Sequence, residues 1–401
     1  MGYEVFDIVV VGGGVTALTA ARLFDIKSAS VGIICPTAGL FNNEDAETER
    51  NYTIVESSQR LLDGIGVWSA MQESKIGRYE EIEIWDLNSC GHLNFERPLG
   101  HEKPMGWVVP ESVLTDTLSL LTNNIPRFAN PKSVKNEVDG CVEVTLDSGR
   151  KISSQLLLLV DSYSAGLREQ LGFNFSKRSY NQLGIVTDIR TEFPHENKAR
   201  QWFLEHDILA FLPKNSGHLS SIVLSIRKSK WQKILGGGNE SLSRFLTKNS
   251  RSTLGQVEVL ATPLCFHLNK GLVDNWCKGK CVLAGSAARA IHPLAGQGLN
   301  LNMMDVASLL ECVGVPGTEA NWPKKAQLNY YSRWRKSESL ELLLVTDALC
   351  RAFSNPLLNV GNIRGRVMNR INKIEGLKET IVVRAMGLSG DLPDSVSSLP
   401  K

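Results

Sequence analysis

Two glycine-rich turns carry the residues whose types and spacing could do chemistry. In the C-terminal third, Cys281 to Asp305 reads CVLAGSAARAIHPLAGQGLNLNMMD. The apolar run Val282 to Ala284 suggests a short buried strand, and a turn follows at Gly285-Ser286. His292-Pro293 then leads to Gly296-Gln297-Gly298. From Leu299 and Asn300 the pattern is helical, with Leu301, Met304 and Leu309 able to share a face. A loop with two glycines therefore opens into a helix N-terminus. Such an end has unpaired backbone N–H groups and a partial positive charge, and glycines let a ligand approach closely. A flat, electron-rich ring that becomes anionic when reduced would suit that place. An ordinary Gly-rich turn without a ligand is the plain alternative. His292 is the only titratable group to watch here, and no catalytic side chain is assigned.

At the other end of the chain, the β-branched run Phe6 to Val11 precedes Gly12-Gly13-Gly14-Val15-Thr16-Ala17 and a helical pattern to Phe24. Strand, glycine turn and helix make the opening of a dinucleotide-binding unit, G-x-G-x-x-A, with Ala17 in the place of the third glycine. Gly12 permits the tight turn, Gly14 lets a pyrophosphate approach, and the helix beginning at Val15 faces its charge. The second strand, Val31 to Ile34, would usually end in Asp or Glu to bind a ribose. Cys35 and Pro36 stand there instead, and neither is an adequate acceptor.

Other elements must position these turns. Strands are expected at Ile82–Asp86, Leu93–Phe95, Cys141–Leu146, Leu156–Val160, Gln182–Arg190, Ala199–Phe203 and Ile208–Pro213, and a helix at Ser112–Leu121. Gly236-Gly237-Gly238 reads as a surface loop. After Asp305 the chain is mostly helical, broken by Gly314, Pro316-Gly317 and Pro323. Lys324 to Arg384 holds twelve basic against five acidic residues, a net of +7, against +2 for the whole chain. Interleaved apolar residues (Leu342 to Val345, Leu357, Leu358, Ile381 to Val383) fit either a basic surface that docks on an anionic membrane or partner, or a solvated helix face.

The 401 residues allow two or three domains, and 42% hydrophobic with 21% charged residues is a globular composition. The small net charge points to no nucleic-acid partner. No apolar run approaches the roughly 20 residues of a membrane helix, and a first strand near Asp7 leaves no room for a leader. Eight scattered cysteines without CxxC suggest free thiols in a reducing compartment and no metal site. A cytoplasmic protein is expected, with peripheral membrane contact as an option.

The string His292-Pro293-Leu294-Ala295-Gly296-Gln297-Gly298-Leu299-Asn300-Leu301, ending at Asp305, resembles the second flavin-binding motif of the ubiquinone-biosynthesis hydroxylases. These are FAD-dependent aromatic monooxygenases with the p-hydroxybenzoate hydroxylase-like fold. Further segments resemble the family in order. Arg50 precedes an apolar helix ending Ile65-Gly66-Val67-Trp68, Asp161 to Arg168 matches D-G-x-x-S-x-x-R in part, and Leu377 to Leu388 is similar to the family's tail. The resemblance covers nearly the whole chain. It implies an α/β fold: a Rossmann-like FAD-binding domain (1–80, 100–177 and 268–320) interrupted by a mixed β-sheet substrate domain (81–99 and 178–267). C-terminal helices (321–390) and a flexible tail (391–401) would follow.

The resemblance implies that Gly12, Gly14, Val15, Ala17, Arg50, Asp161, Ser286, Pro293, Gly296, Gln297, Gly298, Leu299 and Asn300 contact FAD, with Arg50 along the flavin. It implies NAD(P)H as reductant, O2 as oxygen source, and an apolar polyprenylated phenol or quinone precursor hydroxylated on its ring. Trp202, Phe203 and Phe211 are candidates to line its pocket, or are plain core. Departures from the family occur at Glu111 (usually Asn or Gln), Ser162 (Gly), Ala165 (Ser), Ser286 (Asp) and Arg289 (His). With Cys35, four of these positions fall on cofactor contacts. They leave open a catalytically impaired member that serves as a scaffold for other quinone-biosynthesis proteins.

Overall fold

The β-branched run at the N-terminus forms the strand Glu4–Val11, flanked by parallel neighbours on both sides and buried over Ile8–Val11. The structure, a computed structural model, describes residues 4–35, 48–138, 140–293, 296–316, 322–354 and 361–397. Five parallel strands lie in the order Cys281–Leu283, Lys151–Leu159, Glu4–Val11, Val31–Ile34 and Arg127–Phe128. The antiparallel strands Pro131–Val138 and Cys141–Leu146 add to the Lys151–Leu159 strand. Helices Val15–Asp25 and Gly298–Val313 pack together, and Val10, Ala17, Leu158, Leu283 and Met303 share one apolar core.

A second sheet of nine strands is mostly antiparallel. It takes strands Glu81–Asp86 and His92–Glu96 from early in the chain and six more from between Phe175 and Val273, and Arg289–Ala290 adds at one edge. The expected strand at Gln182–Arg190 is the C-terminal half of a longer one, Phe175–Thr191, which pairs with Leu264–Val273 on both sides of a register shift between Ser179 and Leu183. One face of this sheet is covered by helices Lys228–Leu235 and Gly238–Asn249. Gly236 and Gly237 join those two helices. Trp202 and Phe211 stack edge to face in that core at 4.9 Å. They are therefore core residues there and not pocket lining.

A small sheet of three strands, Asn51–Ile54, Gly106–Pro110 and Gly77–Tyr79, sits between the two. Three helices end the chain: Lys325–Ser354, Gly361–Ile371 and Glu375–Ala385. Among the described residues no helix is long and apolar enough to cross a membrane, and no His/Cys/Asp/Glu group could hold a metal ion. Leu294, Ala295, Leu357, Leu358 and the tail beyond residue 397 lie outside the described residues.

Candidate flavin site and adjoining cavity

Both glycine turns lie at the C-terminal ends of parallel strands, where open α/β sheets bind ligands. Gly12 has φ +149°, and a Cβ there would sit 2.6 Å from Asp161 Oδ2. The Asp161 carboxylate accepts from Gly13 N at 3.0 Å and Gly14 N at 3.4 Å. Its other oxygen accepts from Tyr163 N at 3.0 Å, capping the turn Ser162–Ser164. Burial raises the acid's pKa, and the three backbone donors pull the other way. Asp161 is thus a brace between two segments 148 residues apart. The next N–H groups, at Val15 and Thr16, begin the helix, and Gly14 offers them no side-chain cap. Val15 and Ala17 are buried, and the Ala17 methyl would lie 3.0 Å from a Cβ on Gly12, so a small residue is needed there for the helix to pack on the turn.

The turn Gly285–Ala287 is fixed at both ends. Gly285 N donates to Asp305 Oδ2 at 2.9 Å, and Arg168 Nη1 donates to Ala287 O at 3.0 Å. Arg168 is buried, stacked over Phe175, so it belongs to the scaffold of the site rather than to the surface. Asp305 also holds Arg289 at 2.6 Å and Arg335 at 2.9 Å, all three deeply buried. Arg289 has its pKa lowered by burial, opposed by Asp305. Ser286 is exposed on the one-turn helix that follows the buried strand, with Gly285 and Ala287 buried on either side.

Gly296 has φ +62°, and a Cβ there would collide with Thr53 Oγ1. The Thr53 hydroxyl donates to Gly296 O at 2.7 Å. Asn300 is 4% exposed. Its Oδ1 accepts from Val55 N at 3.0 Å and its Nδ2 donates to Thr53 O at 2.9 Å. Its side chain is therefore committed to protein backbone, which leaves only its own N–H at the helix end. Leu299 is buried, whereas a Cβ on Gly298 would meet nothing within 4 Å. Gln297, the N-cap, makes no side-chain cap. This helix start is open, as an anionic or electron-rich ring needs.

Arg50 is exposed, with its guanidinium 5.7 Å from the Phe266 ring centroid. The Glu111 carboxylate accepts from Tyr52 OH at 2.9 Å. Burial, and then the charge of Glu111, pushes the Tyr52 pKa up. Glu49 caps the helix Glu111–Leu121 through Ser112 N at 2.7 Å. Cys35 follows its strand with its N–H on Phe128 O at 2.9 Å and stands where a carboxylate would bind a ribose; Pro36 lies outside the described residues.

Pro293, Gly296 and Gln297 also form one end of a cavity of about 650 Å³. From the antiparallel sheet, Ile82, Ile84, Phe95, Ala199, Phe203 and Leu212 line it. From the C-terminal helices come Leu349, Val367, Met368, Ile371, Val382 and Ala385. Of the three aromatic candidates only Phe203 reaches it. Polar groups are few. Arg200 is one of them, held by Glu83 at 2.9 Å and by His195 O at 2.7 Å. The part played by the C-terminal helices has no local sequence signal; only their apolar spacing, Val367 with Ile371 and Ile381 with Ala385, hints at a buried face. His292, next to Pro293, is 3% exposed and meets Tyr180 edge to face at 5.1 Å. Burial lowers its pKa to about 4, so the ring is neutral near pH 7.

The residues present fit FAD. Two uncapped helix starts and a turn with Ser286 exposed converge, and glycines stand where the backbone must be approached. Residues 5–337 match the family model described as FAD binding domain. The chain belongs to that family of FAD-binding oxidoreductases, and FAD is its cofactor. It is 28% identical over 396 residues to a ubiquinone hydroxylase of Rhodospirillum rubrum, covering 96% of this chain and 90% of the relative. It is 24% identical to the 3-demethoxyubiquinol 3-hydroxylase of Escherichia coli, over 95% of this chain and 98% of the relative. The fold is shared with p-nitrophenol 4-monooxygenase from Pseudomonas putida, at TM-score 0.74 and 17% identity, covering 97% of this chain and 99% of the other.

Proposed function

We propose that the chain is an FAD-dependent monooxygenase that hydroxylates the ring of a polyprenylated phenol or quinone precursor in ubiquinone biosynthesis. NAD(P)H is the reductant and O2 the oxygen source. The observation that carries this reading is the apolar cavity that starts at the Pro293–Gln297 loop and runs between sheet and C-terminal helices. A phenol ring would lie beside the loop, with its prenyl tail among Phe95, Met368 and Val382. When bound, FAD supplies the redox chemistry with NAD(P)H and O2.

This chain's residues supply position and dryness. The backbone at Gly14, Val15 and Ala17 and at Gly298, Leu299 and Asn300 would hold the cofactor, with Ser286 facing it and Arg50 alongside. Asp161 and Asp305 hold the turns in shape. Pro293, Gly296 and Gln297 would separate ring from solvent. Burial keeps His292 neutral near pH 7, and no side chain is assigned as acid or base. Nothing in the described site favours the catalytically silent scaffold. Peripheral contact with a membrane and with other quinone-biosynthesis proteins completes the reading.

The test is direct. The purified protein should show a flavin spectrum, and NAD(P)H oxidation should rise with a prenylated phenol and yield a product heavier by one oxygen. A colourless protein that stays colourless with excess FAD would overturn the assignment.

A further inference from the structure

The long helix Lys325–Ser354 buries one side and leaves the other uncovered. Leu340, Leu344, Val345 and Leu349 recur at helical spacing, with exposures from 38% to 57%. Val367, Ile374 and Leu377 are exposed on or beside the next two helices. Leu349 and Val367 also line the cavity, so its apolar wall runs out onto this face. Exposed apolar side chains that continue the wall of a cavity mark an interaction site rather than ordinary scattered exposure.

The charges on the face are not balanced. Arg366, Arg370 and Lys373 are exposed around Val367 and Ile374. Of the carboxylates, Asp347 is held by Lys270 at 2.5 Å and Arg351 at 2.9 Å, and Glu341 by Arg384 at 2.7 Å. Glu375 and Glu379 are exposed on the last helix. Exposed apolar side chains beside the cations Arg366, Arg370 and Lys373, unpaired among the described residues, suit a bilayer interface with anionic headgroups. A second copy of the chain would set these cations against their own kind. We infer that this face docks on an anionic lipid bilayer and that the cavity takes its prenylated substrate directly from the bilayer there. The substrate half of this inference rests on the hydroxylase reading; the docking half does not.

The experiment uses the full chain loaded with FAD and sedimented with vesicles of phosphatidylcholine alone or with phosphatidylglycerol. Retention is expected on the anionic vesicles, with partial release by salt. The double variant Leu344→Asp/Val345→Asp should lose at least about tenfold in partition, since charged side chains must then enter the interface. Arg366→Glu and Arg370→Glu should each lose about fivefold or more. None of the four residues lines the cavity, so turnover of a short, water-soluble phenol should stay at the wild-type rate. Turnover of a long-chain phenol in vesicles should fall in step with partition.

Equal retention on neutral and anionic vesicles would overturn the docking, as would unchanged retention of the double aspartate variant. A change from dimer to monomer in that variant without a change in vesicle binding would assign the face to a contact between copies. Retention as expected with no phenol turned over would keep the docking and sink the hydroxylase reading.

Discussion

Among the described residues the two ring nitrogens of His292 have no hydrogen-bond partner, and its ring meets Tyr180 at a right angle. Such a site stabilises the neutral imidazole, and the pKa of about 4 against 6.5 expresses that. The sign follows from proton counts. Between pH 6.5 and about 4 the unfolded chain binds the proton and the folded chain does not. Stability from this group is therefore complete above pH 6.5 and falls as the pH drops. Between pH 7 and 5 the loss is about 2 kcal/mol. His292→Phe keeps an aromatic ring and removes the titration. Its urea-unfolding free energy should fall less between those pH values than that of wild type, and an equal slope in both proteins would mean His292 is solvated.

At the scale of elements, the helix Gly298–Val313 is fastened to the strand Asn51–Ile54 through one amide. Asn300→Ala would leave Val55 N and Thr53 O buried without that partner, at a cost of about 2–4 kcal/mol. Chemical denaturation should show the loss, and FAD should restore part of it by mass action. A change under about 0.5 kcal/mol would mean water replaces the amide. The sequence makes such elements legible where a local rule governs them. Gly12 and Gly296 stand at positive φ, and a Cβ there would strike Asp161 and Thr53, so glycine is required at both, and the same glycines make the motif readable. The strand Val31–Ile34 reads from its β-branched run for the same local reason. Partners far apart in the chain are silent. Nothing near Asn300 announces Val55, and nothing near Arg168 announces Ala287, so Asn300 resembles a ligand contact and the anchoring role of Arg168 has no sequence signal. Trp202 and Phe211 alternate as strand residues should, but which sheet face meets the helices is decided by packing.

For the whole molecule, the candidate cofactor contacts other than Arg50 come from four stretches: the Gly12–Ala17 turn, Asp161, the Gly285–Ala287 turn and the Pro293–Asn300 loop. The protein already bridges them, through Asp161 to Gly13 and Gly14, Arg168 to Ala287, and Thr53 to Gly296. A cofactor that touches all four adds its binding free energy to the folded state and not to the unfolded one. At 100 times its dissociation constant that addition is about 2.7 kcal/mol. Stripping FAD should lower the melting temperature, and adding it back should raise it in proportion to the logarithm of its concentration. Gly298→Glu supplies the control. The site has open space for the new side chain, so the apo-protein should melt within a degree or two of the wild-type apo-protein. Its carboxylate would then occupy the helix start and repel an anionic ring. The FAD-dependent rise should vanish in the variant while the chain stays folded by circular dichroism. An equal FAD-dependent rise in both proteins would mean that the cofactor does not meet the start of the helix Gly298–Val313.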